Sequence, residues 1–306
     1  MQRRDVLTSA ALVATAGGLA MTGAGSAAAA APGRKPARPA MIGTADGTQL
    51  FYRDWGDGKP VVFLHSWGVN SQMWDYQTAD LLEHGLRCIV FDRRGHGRSS
   101  DPGRGYDADT LADDLAAALD SLDLREATLV GHSMGCGEIA RYLSRHGSGR
   151  VARVALISPT TPFLLKTADN PHGVDRAMFE AVRAGWRKDF AKWVGDNTAP
   201  FFVSETSPEM MRWGAEMMLN TSLPVLIACN RVITETDYRP DLRAIKVPAL
   251  VIHGTKDASA PIDLTGRPTA ALIPGARLIV YEGAPHGVFF THIDRVNSDL
   301  KDFIGG

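Results

Sequence analysis

Six short apolar runs, separated by helix-patterned segments, constrain the fold of this sequence more than any other feature. "PVVFLH" (60–65), "RCIVFD" (87–92), "ATLVGH" (127–132), "VARVALIS" (151–158) and "VPALVIHG" (247–254) are continuous, and "ARLIVYEG" (276–283) repeats the pattern more weakly. A strand wetted on one face alternates apolar with polar residues, whereas one covered on both faces does not need to. Between the runs, residues 107–122 carry Leu111, Leu115, Leu119 and Leu122 as a single apolar stripe at helical spacing. Residues 71–84, 134–146, 266–273 and 287–303 are suited to be the other crossover helices. Strands alternating with helices predict a mostly parallel sheet covered on both sides. Ahead of it, "GTADGTQLFYRDWG" reads as a hairpin turned at Asp46-Gly47.

One stretch breaks the alternation. From about 160 to 236 the pattern is helical and rich in large apolar residues, among them Phe163, Phe179, Trp186, Phe190, Trp193, Phe201, Phe202, Trp213 and Met218. An insertion of this kind after a sheet strand is expected to form a cap over the strands' C-terminal ends. Most of its aromatics are expected to form the cap's own core, since few of the available apolar side chains line a pocket.

Composition narrows the function classes. The 306-residue chain is 44% apolar and 22% charged, with a formal net charge of −1 and no long run of one sign. That is an ordinary globular balance, and it argues against a nucleic-acid binder, which presents a basic face. Cys88, Cys136 and Cys229 are an odd set at wide spacing, each in or beside an apolar segment. They fit buried free thiols better than a disulfide framework or a zinc site.

The N-terminus has its own pattern. Arg3-Arg4, a weakly apolar Ala/Gly/Thr stretch and an alanine run before Pro32 follow the order of an export signal over 1–31, with Val6 and Leu7 giving it a twin-arginine character. Gly, Thr and Ser interrupt the apolar stretch, so a stable membrane span is not expected. Residues 32–39 read as a tail or linker and 40–306 as one α/β domain with its cap. The expected location is periplasmic or extracellular.

"GHSMG" at 131–135 supplies the chemistry. A G-x-S-x-G pentapeptide is a weak signal alone. Here it follows an apolar strand and opens a helix containing Ile139, Tyr142 and Leu143, the strand–turn–helix setting that holds a serine nucleophile on a strained turn. A serine hydroxyl needs a base, and the base needs an orienter. His286 follows the last strand at the head of the last helix, so its loop shares the C-terminal sheet edge with Ser133. His132 borders the serine but projects off the turn, His253 lies inside a strand run as an expected core histidine, and His292 lies further along the helix. Asp257, just past the strand ending at 254, is the expected orienter, with Asp263 as its rival. The oxyanion hole is expected from the backbone N–H groups of Met134 and of Trp67, in the loop after "PVVFLH".

"FLHSWGVNSQMWDYQ", "FDRRGHGRSS", "LVGHSMGCGEIARYLSRHG", "ETDYRPDL", "VPALVIHGTKD" and "APHGVFFTH" together resemble the cofactor-free bacterial haloperoxidase and arylesterase branch of the α/β-hydrolases. The resemblance implies a mostly parallel sheet of the eight-stranded type flanked by helices with a helical cap. It implies hydrolysis of small, often aromatic, esters through an acyl-enzyme on Ser133, Asp257 and His286, without haem, metal or other cofactor. Hydrogen peroxide is the implied second reactant: it replaces water on the acyl-enzyme and releases a peracid. Ser66 stands where relatives usually carry Gly, His132 where several carry Phe, and Ser259 and Ala260 where bulkier apolar residues are common. Phe201, Ser259 and Ala260 are therefore expected at the substrate pocket. A C–C bond hydrolase with the same triad, or an exported binding protein on the same scaffold, are the alternatives. Oligomeric state stays open, a homo-oligomer included.

Overall fold

The computed structural model describes residues 39–306, so the expected leader and most of the linker lie outside the described residues. A hairpin of β1 (Ile42–Gly43) and β2 (Gln49–Leu50) opens the chain. β3 (Tyr52–Trp55), β4 (Pro60–Leu64), helix α1 (Asp75–Glu83), β5 (Arg87–Phe91), α2 (Ala108–Ser121), β6 (Ala127–His132), α3 (Met134–His146) and β7 (Val151–Ile157) follow. α4 (Arg176–Thr198), α5 (Pro208–Leu219) and α6 (Leu223–Glu235) come before a return to alternation in α7 (Arg239–Ala244), β8 (Ala249–Gly254), α8 (Gly266–Leu272), β9 (Arg277–Tyr281), α9 (Val288–Thr291) and α10 (Ile293–Gly305).

The main sheet has seven strands in the order β3-β5-β4-β6-β7-β8-β9, parallel throughout except for β3. The expected eighth strand is not in it. At Phe51 the N–H is taken by Ser99 Oγ (2.9 Å) while the carbonyl accepts from Asp92 (2.9 Å), which leaves β1 and β2 as a separate two-stranded ladder.

The continuous apolar runs have the expected cause. In β4, Val62 and Leu64 enter one core while Val61 and Phe63 enter the other; in β5, Ile89 and Phe91 oppose Cys88 and Val90. The first core holds the stripe Leu111, Leu115 and Leu119 of α2 for the most part, and the second holds Val296 and Leu300 of α10. Helix α2 starts where Asp107 accepts the Thr110 N–H at 2.9 Å, an N-cap that satisfies one of the first-turn donors. Cys88, Cys136 and Cys229 are free and buried. Among the described residues no single helix is long and apolar enough to cross a membrane.

Two consequences position the site. β5 and β6 lie on opposite sides of β4, so the strand order reverses between β4 and β6, and the loops after those two strands open a crevice at the sheet's C-terminal edge. The helices α4, α5 and α6, inserted between β7 and β8, contribute walls to a cavity shared with those loops.

Candidate active site

The turn after β6 forces Ser133 into φ +54°, ψ −113°, a left-handed conformation uncommon for a residue with a side chain. Such backbone costs about 1–3 kcal/mol and persists only where its surroundings over-determine it. Here the Ser133 N–H donates to the Ile157 carbonyl (3.0 Å), and the two glycines remove collisions. A Cβ on Gly131 would lie 2.8 Å from the Gly135 carbonyl carbon, and one on Gly135 would lie 2.7 Å from the Leu64 oxygen. Met134 is the first residue of α3, so its N–H has no acceptor within the helix and stands at the positive end of the helix dipole.

Asp257 follows β8 and His286 follows β9, and the structure brings them together: His286 Nδ1 lies 2.6 Å from Asp257 Oδ2. Both are 4% exposed, dry enough for the pair to hold one tautomer. Asp257 Oδ1 accepts from the N–H groups of Ser259 (2.9 Å) and Ala260 (2.7 Å). Burial pushes this carboxyl up, but His286 and the hydrogen bonds from His253, His286 and Ala260 outweigh it and hold the acid well below the usual carboxylate range. The rival Asp263 is exposed and pairs with Arg267 one helical turn away.

His253 is more than the core histidine expected of it. Its Nε2 lies 3.0 Å from Asp257 Oδ2 and 2.8 Å from the Ala260 carbonyl. Both partners are acceptors, so Nε2 carries the proton and His253 becomes a second imidazole donor on the carboxylate. The i, i+4 spacing in "HGTKD" was the available signal. His132 is likewise engaged: it is fully buried, its Nε2 meets the His286 carbonyl at 2.9 Å, and its ring centre lies 4.7 Å from that of His286. Burial and the neighbouring His286 push its pKa well below the ordinary histidine value, so it braces the His286 backbone as a neutral ring.

The loop after β4 is fixed from below by Arg93. Its Nη2 donates to the His65 carbonyl (2.7 Å), its Nη1 to the Ser66 carbonyl (3.3 Å), and its Nε to Glu138 Oε1 (2.6 Å), all buried. With those carbonyls held down and the Ser66 N–H spent on Met73 Sδ (3.1 Å), the Trp67 N–H is the next donor and makes no hydrogen bond to another described residue. The Trp67 indole points the other way. Its Nε1 donates to the Leu226 carbonyl of α6 (2.8 Å), and its ring stacks on Trp186 of α4 at 4.9 Å. Thr221 Oγ1 adds a second tie, to the Gly68 carbonyl (2.9 Å).

Ser133, His286, Ser66 and Trp67 all line one cavity of about 500 Å³ between the sheet edge and the cap. Phe201 and Ser259 line it as expected. Ala260 does not: its N–H turns inward to Asp257 and its carbonyl to His253, so it belongs to the cradle of the carboxylate. The reading of the cap aromatics as mostly core also needs correction. Phe179, Trp186 and Trp193 line the cavity because α4 turns its apolar face onto it, and Phe201 and Phe202, in the chain just after α4, line it too. The thiols offer no competing nucleophile, since burial pushes Cys88 and Cys229 up to about 12 and Cys136 well above its ordinary value.

Comparison with known proteins places the chain in a family. Residues 59–293 match the family model described as alpha/beta hydrolase fold. The chain is 40% identical over 268 residues to the non-heme chloroperoxidase CPO-A1 of Kitasatospora aureofaciens, covering 85% of this chain and 98% of that one. It is 34% identical over 275 residues to the bifunctional esterase/perhydrolase DCH of Acinetobacter calcoaceticus, covering 86% and 98%. A bromoperoxidase crystal structure from Bacillus anthracis superimposes with a TM-score of 0.83 at 36% identity, over 87% of this chain and 99% of the other. With its inserted cap, its G-x-S-x-G turn and this likeness along nearly the whole described length, the chain belongs to the α/β-hydrolase family, in the branch of the non-heme haloperoxidases and related esterases.

Proposed function

We propose that this protein is a serine hydrolase of small carboxylic and aryl esters that works through an acyl-enzyme and also accepts hydrogen peroxide in place of water. Ser133 Oγ attacks the ester carbonyl, and His286 takes its proton and returns it to the departing alcohol or phenol. Asp257 holds the imidazole with Nδ1 protonated, which leaves Nε2 as the base. The N–H groups of Trp67 and Met134 stabilise the oxyanion, a contribution of about 2.7–4 kcal/mol per donor in comparable sites. Water, or peroxide, then attacks the acyl carbonyl and regenerates Ser133, giving an acid or a peracid.

The observation that carries the reading is the presence of Ser133 and His286 in one apolar cavity, with His286 Nδ1 2.6 Å from a carboxylate that also takes two backbone N–H groups. The peroxide reaction rests on the likeness to the chloroperoxidase and to the esterase/perhydrolase. Ser133→Ala is expected to abolish p-nitrophenyl acetate turnover and labelling by a fluorophosphonate, with the fold intact by circular dichroism. Near-wild-type turnover in that variant refutes the mechanism. Bromination of monochlorodimedone with acetate, bromide and peroxide, lost in the same variant, tests the peroxide arm. From the leader pattern we also propose export, to be tested by fractionating cells that express the full chain.

A further inference from the structure

The cap wall contains a polar device that ester cleavage does not require. Arg183 on α4 is completely buried. Its Nη1 donates to Asn230 Oδ1 (2.9 Å) and Thr234 Oγ1 (3.2 Å) on α6, and its Nη2 to Glu180 (2.9 Å) and Glu235 (3.1 Å). Asn230 and Thr234 line the cavity, whereas Arg183 stands behind them. The Thr234 hydroxyl accepts from Arg183 and donates to the Asn230 carbonyl (2.9 Å), so its proton is used. Asn230 differs. A guanidinium only donates, so it fixes which end of the amide is oxygen, and the NH₂ must point elsewhere. Among the described residues, no acceptor meets Asn230 Nδ2.

Asn230 is half-buried at the cavity wall, so a ligand in the cavity can take up this donor in place of water. We propose that Asn230 Nδ2 is a substrate subsite, and that it takes an uncharged oxygen acceptor, such as a ketone, ether or second ester oxygen, borne by the acyl chain away from the scissile carbonyl. This rests on the ester-hydrolase reading above. The uncharged class follows from the lining. Arg183 is paired with Glu180 (2.9 Å) and Glu235 (3.1 Å) behind the wall, and no Lys or Arg side chain among the described residues lines the cavity. The subsite therefore offers an oriented neutral dipole with no cation beside it, which suits a carbonyl better than a carboxylate. Its position suits the far end of an acyl group: Asn230 lies four residues, about 6 Å of helical rise, beyond Leu226, to which the indole of Trp67 is tied.

The test compares p-nitrophenyl octanoate with its 4-, 5-, 6- and 7-oxo analogues and with the mono-p-nitrophenyl ester of suberic acid. At least one oxo ester is expected to exceed octanoate in kcat/KM by about 2- to 12-fold, the worth of one neutral hydrogen bond. In Asn230→Leu that ratio should fall to about one. A merely structural link between α4 and α6 predicts a lower Tm and an equal loss on all the esters, with the ratio kept, and that result overturns the proposal. Preference for the suberate ester that depends on Asn230 overturns the uncharged assignment. A second readout does not depend on catalysis: octanones should quench the cavity tryptophan fluorescence of Ser133→Ala more tightly than 1-octene does. Loss of that difference in Ser133→Ala/Asn230→Leu supports the subsite even if the wild type hydrolyses no ester, and its persistence overturns it.

Discussion

Asp257→Asn preserves shape and exchanges one acceptor for a donor, which makes it the sharpest probe of the site. Each carboxylate oxygen meets two N–H groups: Oδ1 those of Ser259 and Ala260, Oδ2 those of His286 (2.6 Å) and His253 (3.0 Å). Whichever way the amide turns, its NH₂ faces two donors. Backbone protons cannot move, whereas imidazole protons can, so the amide keeps its oxygen on the loop and turns its NH₂ toward the histidines. His286 then retains a partner only by moving its proton to Nε2, the nitrogen needed to receive the Ser133 proton. Inverting the tautomer of a triad histidine in this way costs about 10⁴ in kcat, or about 5 kcal/mol of barrier. His253 has no such escape, because Ala260 needs the Nε2 proton. The remaining donor–donor contact should cost about 1–3 kcal/mol of stability, a Tm loss of several degrees. Turnover of p-nitrophenyl acetate, with Tm read by scanning fluorimetry, measures both. A folded variant keeping more than about 1% of wild-type kcat refutes the assigned roles of Asp257 and His286.

Acid should weaken the fold well above the carboxylate range. Burial first, and neighbouring charge second, pull the pKa values of His65, His96 and His132 down, that of His96 to about 3. Unfolded histidines bind protons near pH 6.5, so this stability is complete above about 6.5 and falls with pH by up to about 1.4 kcal/mol per unit for each ring. Urea midpoints from pH 7.5 to 4.5 should decline steadily, and a flat profile contradicts neutral burial of these rings. Trp67→Phe removes the indole donor to Leu226; a drop in kcat/KM of about 5-fold is expected from one lost hydrogen bond, and unchanged steady-state kinetics would show that the tie does not position the loop. Gly135→Ala drives a Cβ into the Leu64 carbonyl and should cost about 1–3 kcal/mol or more by urea unfolding, whereas a neutral result would mean that the turn has slack.

The sheet was legible because burial on both faces leaves a direct trace: Val61 to Leu64 had to be apolar whichever face each met. Asp257 and His286 were legible for a related reason, since strand ends in a parallel sheet share an edge. The cap was visible as an insertion, but its apolar faces look alike in sequence whether they meet a core or a cavity, so the expectation that most of its aromatics form a core missed how many of them, Trp186 and Trp193 included, line the cavity. The role of His253 left only one trace, its i, i+4 spacing to Asp257, because a histidine inside a strand does not by itself show what its ring meets. Arg183 gave no signal at all; helical charge patterns do not reveal which cation is wholly buried.

Trp67 has a further consequence. Its backbone N–H faces the reacting carbonyl in the proposed mechanism, while its indole is stacked and bonded into the cap. Rate and substrate range therefore meet in one residue. A cap transplanted from another hydrolase would arrive without the surface that the indole leans on. Thinning the aromatic wall to admit bulkier esters would loosen the donor that accelerates them, so directed evolution of this protein should find breadth and speed opposed unless position 67 changes along with the cap.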